Sequence, residues 1–229
     1  MESIRMKNEY MLDTLIAIAT IIGFLMFVFS LISQPDAFPN SWFPSILAAV
    51  AFKVIFSAWI MAEIVNSFWS RKNSGAPSQD RGSFWIVSVA GFAVLFVVFM
   101  FRYSGYGSIN PGLQYAGLIL AVAGIALREW AIIILGKHFT VRVQVREKAK
   151  LVVDGPYKYI RHPSYTGSLL TYFGLPLAAG STLGAVIGIA VCIAAYEYRI
   201  YVEENALQKA FGPDYEGYRK RTWKLFPGF

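Results

Sequence analysis

Six long runs of apolar residues, separated by short polar connections, constrain this chain more than any other feature of its sequence. About 20 apolar residues are enough to cross the ~30 Å hydrocarbon core of a bilayer as an α-helix. Only 15% of the residues are charged and the mean hydropathy is +0.48, which is typical of a membrane protein. The runs cover residues 10–32, 42–68, 83–101, 112–135, 164–180 and 182–201. The sequence therefore predicts an all-α, polytopic membrane helix bundle with about six transmembrane helices.

The first run and the last two runs carry further expectations. Residues 164–180 and 182–201 are separated by one residue, which predicts a C-terminal helical hairpin that is tilted or does not fully cross the bilayer. The runs are continuous rather than alternating, so a β-barrel is disfavoured. The run 10–32 is too long for the apolar segment of a cleavable signal peptide and is expected to be a scaffold helix.

The 21 lysines and arginines are unevenly distributed along the chain. Most of them lie near the N-terminus, between residues 71 and 81, or after Leu135, whereas the loops 33–41 and 103–111 contain none. By the positive-inside rule, both termini are predicted to be cytoplasmic, in the inner membrane of a bacterium or the endoplasmic reticulum of a eukaryote. We interpret the net charge of +7 as contact with membrane lipids, with no nucleic acid as a partner.

The only linker-like composition lies at residues 71–82 and divides the chain. Residues 1–82 are predicted to form an N-terminal transmembrane helix pair with a linker, which serves as a scaffold. Residues 83–229 are predicted to form the functional core. This core contains the loop 136–167, expected to be cytoplasmic, and a C-terminal tail of aromatic and basic residues that is expected to lie along the membrane interface.

Several ionisable residues fall inside the predicted helices. Lys53 and Glu63 are expected at the membrane interfaces. Arg128 and Glu129 lie deeper, and because neighbouring helical residues point about 100° apart, they cannot both face one partner. They indicate a polar interior, and a functional cavity and a buried structural ion pair are both open as interpretations.

Three glycines, Gly180, Gly184 and Gly188, form a stripe of small residues at four-residue spacing. This stripe is expected to pack against the preceding arm of the hairpin, with homodimerisation as the alternative. The single cysteine, Cys192, lies in an apolar run, has no intrachain partner for a disulfide, and is expected to serve in packing.

The polar loop 154–167 lies between two apolar segments and concentrates chemically active side chains. Arg161, His162 and Tyr165 surround a predicted helix start, where Pro163 is tolerated because its missing N–H would be unpaired anyway. The exposed amides of a first helical turn suit a carboxylate or a ribose oxygen. A helix cap alone does not explain the three neighbouring side chains, so the loop predicts a binding site.

A second polar patch occurs near the end of the last apolar run, where Tyr196, Arg199 and Glu203 share one helical face. The two patches could bracket a zwitterionic or cationic small molecule if the helix start at Pro163 and this helix end meet on the cytoplasmic side. The two histidines have no cysteine or clustered acid beside them, so no metal site is predicted.

Several spaced motifs resemble the signature of the isoprenylcysteine carboxyl methyltransferase family. They occupy residues 151–157, 161–167, 199–207, 211–218 and 225–227. The wider group of integral-membrane methyltransferases includes phospholipid N-methyltransferases. The resemblance implies that residues 83–229 are a methyltransferase core and that the loop 136–167 binds its cofactor.

The resemblance also implies the cofactor, S-adenosyl-L-methionine, and the residues that contact it. These are Gln144, Lys150, Leu151, Val152, Tyr157, His162, Pro163, Ser164, Tyr165 and Glu203. It further implies that Arg199 contacts the substrate, and Arg199 and Arg161 are assigned to catalysis. The carboxylate of Glu203 suits hydroxyl or amino groups of the cofactor, and tyrosine faces suit an adenine ring or a sulfonium.

Three functions remain open at this point. The first is methyl transfer to the carboxylate of a prenylated cysteine or similar lipophilic acid that enters from the bilayer, which needs no general base because the nucleophile is already ionised. The second is transfer to a phospholipid amine or another small lipophilic nucleophile, with Glu197, Glu204 or His162 as the base. The third is a non-enzymatic membrane scaffold.

Overall fold

The computed structural model describes residues 39–73, 78–104, 110–145 and 150–228 of the chain. The α-helices in these residues are α1 (Ile46–Asn73), α2 (Ser83–Tyr103), α3 (Pro111–Leu135), α4 (Pro163–Ala178), α5 (Thr182–Phe211) and α6 (Pro213–Arg219). A 3-10 turn at Gly155–Lys158 lies in the loop before α4. The predicted helix at 10–32 lies outside the described residues.

Four of the described helices are long and apolar enough to cross a membrane. The spans are Ile46–Asn73, Ser83–Arg102, Pro111–His138 and Thr182–Phe211. The prediction of an all-helical, multi-pass membrane protein is therefore confirmed. With 16 residues, α4 gives only ~24 Å of helix and is too short to cross the hydrocarbon core upright. The number of six crossings stays a prediction.

A short turn at residues 179–181 joins α4 to α5, and the two helices pack against each other. Gly180 has a φ of +81°, a conformation that favours glycine. Ser181 caps α5 because its Oγ accepts a hydrogen bond from the Gly184 amide at 3.1 Å. At its other end α5 continues past the apolar run to Phe211, so the membrane span and the polar patch belong to one helix.

The closest helix contact joins α3 and α4 through two pairs of glycines. A Cβ atom added to Gly124 would lie 2.6 Å from the Gly167 carbonyl oxygen, and one added to Gly117 would lie 2.7 Å from that of Gly174. The backbones of the two helices therefore approach each other directly, as small residues allow in membrane bundles. This contact fixes the start of α4 against α3.

Two glycines of the stripe, Gly184 and Gly188, lie on α5 and pack differently from the prediction. A Cβ atom added to Gly188 would lie 2.9 Å from a methyl carbon of Val94, and one added to Gly184 would lie 3.0 Å from a methyl carbon of Val98. Both valines belong to α2. The partner of Gly184 and Gly188 is therefore α2 rather than the preceding arm, and homodimerisation stays a prediction.

The C-terminal tail packs on the protein, and its position along the membrane interface stays a prediction. Tyr215, Tyr218 and Leu225 are buried in the protein, with exposed fractions of 5% or less. The tail pairs with the polar loop through a parallel bridge between Ile160 and Trp223. Protein contacts remove the apolar surface of these side chains from water, which stabilises the position of the tail against the polar loop.

Candidate active site

A cavity of about 430 Å³ connects the polar loop to the interior of the helix bundle. Its polar end is lined by the residues before and within the first turn of α4 and by the last turns of the apolar part of α5. Its apolar end is lined by α1, α2 and α4, with side chains that include Trp59, Val87, Leu95 and Tyr172. A single space therefore contacts both the membrane-spanning helices and the loop.

An ionic cluster holds the start of α4 against the end of α5. His162 Nε2 lies 3.2 Å from Glu204 Oε1, and its Nδ1 lies 3.4 Å from Glu203 Oε2. Arg161 Nε donates to the same Glu204 oxygen at 2.9 Å. The prediction that the helix start at Pro163 meets the end of the last long helix is therefore confirmed. We call Arg161, His162, Glu203 and Glu204 the loop cluster.

Two opposing influences act on the pKa of His162 within the loop cluster. Burial alone would lower this pKa, because a buried imidazolium loses hydration. The hydrogen bonds and negative charges of Glu203 and Glu204 outweigh burial and raise the pKa of His162 above its ordinary value. Protonated His162 donates from both ring nitrogens, so one ring can hold two glutamates.

The C-terminal tail fixes the loop that carries this cluster. Arg161 Nη1 donates to the carbonyl oxygen of Arg219 at 3.0 Å and also to that of Thr222. The Arg161 amide donates to the Trp223 carbonyl oxygen at 2.8 Å. Because these acceptors are backbone atoms, the tail orients the Arg161 guanidinium and neutralises none of its charge.

Arg199 is buried and makes an extensive set of hydrogen bonds. Its Nε donates to the Tyr165 hydroxyl at 3.1 Å, and its Nη1 donates to Ser83 Oγ at 2.8 Å and to Asp80 Oδ1. Its Nη2 donates to the Val141 carbonyl oxygen. An arginine has five N–H donors, and the second Nη2 hydrogen has no acceptor among the residues described here. Arg199 lines the cavity.

Asp80 was not identified by sequence analysis, although it holds Arg199. Its Oδ2 caps α2 by accepting from the Phe84 amide at 2.8 Å, and its Oδ1 accepts from Ser83 Oγ at 3.1 Å and the Val143 amide at 3.2 Å. An acidic residue just before an apolar run is a helix-start signal and could have revealed the cap. No sequence pattern connects Asp80 with Arg199.

Arg128 and Glu129 contact different partners. Arg128 Nε and Nη2 donate to the two carboxylate oxygens of Glu63 at 2.7 and 2.8 Å, and Nη1 donates to Ser164 Oγ at 2.9 Å. Glu129 accepts from Asn66 Nδ2 at 2.8 Å. The pairing turns Glu63 toward Arg128 on α3, and its expected position at a membrane interface stays a prediction. The buried ion pair is therefore confirmed; Arg128 and Glu63 also line the cavity, and a function of that cavity stays a prediction.

These contacts cross the predicted division of the chain at residue 82. Glu63 on α1 and Asp80 before α2 both contact the core, although they belong to the segment predicted as scaffold. The division itself stays a prediction, as does the interface position of Lys53. Within the described residues, the site depends on side chains from both sides of residue 82.

A sequence profile of the isoprenylcysteine carboxyl methyltransferase (ICMT) family matches residues 117–209 of this chain. Protein-S-isoprenylcysteine O-methyltransferase B of Arabidopsis thaliana is 31% identical over 139 residues, which cover 57% of this chain and 71% of that protein. The chain belongs to the ICMT family. This establishes the resemblance that the spaced sequence motifs indicated.

Two further ICMT relatives define how far the likeness extends. A probable protein-S-isoprenylcysteine O-methyltransferase of Oryza sativa subsp. indica is 30% identical over 116 residues, and the match covers 50% of this chain and 61% of that protein. The structure of a eukaryotic intramembrane Ras methyltransferase, ICMT, has the same fold, with a TM-score of 0.55 and 21% identity. That match covers 78% of this chain and 68% of the other.

The cavity brings together nearly all the residues that the ICMT resemblance implies. Those that line it are Gln144, Lys150, Leu151, Val152, Tyr157, Arg161, His162, Ser164, Tyr165, Arg199 and Glu203. Pro163 does not line the cavity: it is fully buried at the first position of α4, where it starts the helix. Its predicted cofactor contact stays a prediction.

The polar end of the cavity fits the methyl donor of an ICMT-family enzyme. Glu203 Oε2 is buried and accepts no well-aligned hydrogen bond from the residues that the structure describes, although His162 Nδ1 lies 3.4 Å away. Because a carboxylate oxygen can accept more than one hydrogen bond, this oxygen keeps the capacity for a further donor beside His162. Burial raises the pKa of Tyr157 well above its ordinary value, so this phenol stays neutral. An acceptor oxygen next to neutral aromatic rings suits the amino and hydroxyl groups of a nucleoside.

Proposed function

We propose that this protein is an integral-membrane methyltransferase that uses S-adenosyl-L-methionine to methylate the carboxylate of a prenylated cysteine or a similar lipophilic acid. The observation that carries the proposal is the single cavity with an ionic, aromatic end at the loop and an apolar end between helices. One space of this kind can hold a polar donor and a lipid-tailed acceptor side by side. The names of the relatives support the same reaction.

The residues at the polar end have the chemistry to bind the donor. Glu203 would accept hydrogen bonds from its amino or hydroxyl groups, and the rings of Tyr157 and Tyr165 would contact its adenine or sulfonium. When bound, S-adenosyl-L-methionine supplies a methyl group that is activated by the positive sulfur. His162 would keep Glu203 oriented, since it lies between the two carboxylates of the loop cluster.

Arg199 would orient the acceptor carboxylate. Its uncommitted Nη2 hydrogen is one charge-assisted donor, which fixes one oxygen of a carboxylate and leaves the other oxygen available for attack. The lipid tail would lie in the apolar end against Trp59 and Tyr172, whose rings contact each other with centroids 5.5 Å apart. Catalysis would then rest on positioning and on the exclusion of water around two reactants of opposite charge.

The ionic contacts of the site favour an acid substrate over an amine. An amine would need a base to take its proton. Glu204 is paired with Arg161, Glu197 is paired with Lys224 at 2.6 Å, and the contacts of His162 with Glu203 and Glu204 favour its protonated form. A carboxylate requires no proton transfer, so the paired state of these groups does not obstruct its methylation. Both termini and the donor end of the cavity are proposed to face the cytoplasm, which agrees with the basic loops.

Methyl transfer from labelled S-adenosyl-L-methionine tests this proposal. Purified protein in detergent or nanodiscs should label N-acetyl-S-farnesylcysteine and leave both its methyl ester and phosphatidylethanolamine unlabelled. The ester is the matched control because it keeps the lipid tail and lacks only the acceptor carboxylate. Labelling of phosphatidylethanolamine alone would favour the amine reaction. Absence of both labelling and S-adenosylhomocysteine binding would favour a scaffold.

A further inference from the structure

The residue that holds Arg199 lies outside the segment that defines the family. Asp80 precedes the matched residues 117–209 and was assigned to a linker by its composition. Its side chain is nevertheless buried, with an exposed fraction of 2%, and its Oδ1 accepts from Arg199 Nη1. We propose that Asp80 is a positioning residue, which orients Arg199 toward the acceptor carboxylate. This inference rests on the proposed function of the same site.

Asp80 does not line the cavity, whereas Arg199 does. Asp80 therefore has no direct route to a ligand and can act only through its neighbours. An arginine side chain has many rotamers, and a buried partner that fixes the guanidinium plane removes most of them. With Nη1 held by Asp80 and Ser83, the guanidinium directs its remaining Nη2 hydrogen in one fixed direction.

Asp80 also connects Arg199 to residues 141–143, which precede the polar loop 154–167. The Val143 amide donates to Asp80 Oδ1 at 3.2 Å, and the Gln79 amide donates to the Val143 carbonyl oxygen at 2.8 Å. Arg199 Nη2 donates to the carbonyl oxygen of Val141 in the same segment. Asp80 and Arg199 thus hold residues 141–143 from two sides.

Helix capping is the simpler role for this aspartate, and the two roles separate by substitution. Asparagine caps helices about as well as aspartate. Asp80→Asn therefore preserves the acceptor for the Phe84 amide, and it removes both the negative charge and the acceptor oxygen that face Arg199. If capping were the only role, Asp80→Asn would behave like the wild-type protein.

The matched control is Glu129→Gln. Glu129 is another partly buried acid with a hydrogen-bonded side-chain partner, Asn66, and it lies outside the cavity lining. The measurements are kcat and KM for N-acetyl-S-farnesylcysteine, and the affinities for S-adenosylhomocysteine, the farnesylcysteine acid and its methyl ester. The two affinities for acid and ester do not depend on turnover, so they report on the carboxylate contact alone.

For Asp80→Asn we expect kcat/KM to fall about 10- to 100-fold, as for a misplaced orienting group, while the affinity for S-adenosylhomocysteine changes less than about threefold. Wild-type preference for the acid over the ester should be lost, and Asp80→Glu should restore part of it. Glu129→Gln should retain the wild-type values. Equal losses of S-adenosylhomocysteine affinity and turnover, or wild-type turnover in Asp80→Asn, would overturn the inference.

A double variant keeps the test decisive if Asp80→Asn does not fold. Asp80→Asn combined with Arg199→Gln removes both charges of the buried pair, which is better tolerated than removal of one. If Asp80 acts through Arg199, this double variant should match Arg199→Gln alone in kcat/KM and in acid preference. A further loss beyond Arg199→Gln would show an independent role and contradict the inference. A wild-type protein that binds S-adenosylhomocysteine without acid preference or transfer would instead count against the proposed function.

Discussion

Two arginine–glutamate pairs near the cavity, Arg161–Glu204 and Arg128–Glu63, are built differently. In the loop cluster, Arg161 and His162 share Glu204, and Glu203 keeps one oxygen without a well-aligned donor. Deeper in the bundle, Arg128 meets both oxygens of Glu63 in a bidentate contact and donates to Ser164 as well. The loop cluster is thus an incomplete network, and the Arg128–Glu63 pair is a complete one.

This difference in hydrogen bonding indicates that the two pairs have different roles. A complete bidentate pair inside an apolar bundle satisfies its own hydrogen bonds, and its role is to hold α1, α3 and α4 together. An incomplete network next to a cavity keeps an acceptor for a ligand. We therefore expect substitutions in the Arg128–Glu63 pair to lower stability most, and substitutions in the loop cluster to lower ligand affinity most.

The largest effect should come from Glu63→Ala. Loss of this partner leaves Arg128 as an uncompensated buried charge, which typically lowers the free energy of unfolding by ~3–5 kcal/mol. Thermal unfolding in detergent should show a lower Tm for Glu63→Ala and a smaller decrease for Glu63→Gln combined with Arg128→Met. Equal stability of Glu63→Ala and the wild-type protein would mean that the pair does not form.

The next largest effect should be a lower affinity for the methyl donor. Glu203→Gln removes a negative charge at the polar end of the cavity, and a lost charge-assisted hydrogen bond of ~1.5–3 kcal/mol weakens binding about 10- to 150-fold. Calorimetric titration with S-adenosylhomocysteine measures this change. Glu216→Gln, an exposed acid on α6, is the control and should bind normally. Unchanged affinity in Glu203→Gln would remove this residue from the donor site.

A smaller effect should appear in the pH dependence of stability. Since the fold raises the pKa of His162, protonation of this side chain stabilises the folded state. The contribution is complete below the ordinary pKa of about 6.5, and it is lost as the pH rises through the raised value. Tm measured against pH should fall across that window in the wild-type protein and less in His162→Gln. The same slope in both proteins would assign it to another group.

The smallest effect should come from Lys220→Ala. Lys220 and Glu216 form an exposed pair on the surface, at 2.9 Å, and such pairs contribute little to stability because water screens them. Neither Tm nor S-adenosylhomocysteine affinity should change measurably. A clear loss in either would mean that the tail depends on its surface charges as well as on Tyr215, Tyr218 and Leu225.

The sequence predicted the helical class and the chemical character of the site for local reasons. An apolar run that is long enough to cross the bilayer is almost sufficient to predict a membrane helix. The residues Arg161 to Tyr165 are adjacent in the chain, so their concentration was visible without a structure. The face shared by Arg199 and Glu203 follows from helical periodicity alone.

The contacts that the sequence did not reveal join residues far apart in the chain. Asp80 with Arg199 and Glu63 with Arg128 depend on which helices become neighbours, and helical periodicity carries no information about that. The glycine stripe illustrates the same limit. Its spacing correctly indicated a close helix approach, but nothing in the spacing distinguished α2 from α4 as the partner.

The most direct test of the central claim is a cryo-EM or crystal structure of the protein with S-adenosylhomocysteine. The account predicts density for the nucleoside in the cavity between Tyr165 and Glu203, with a donor group of the ligand within hydrogen-bond distance of Glu203 Oε2. Density at saturating ligand that lies elsewhere in the protein, while this space stays filled by side chains, would contradict it.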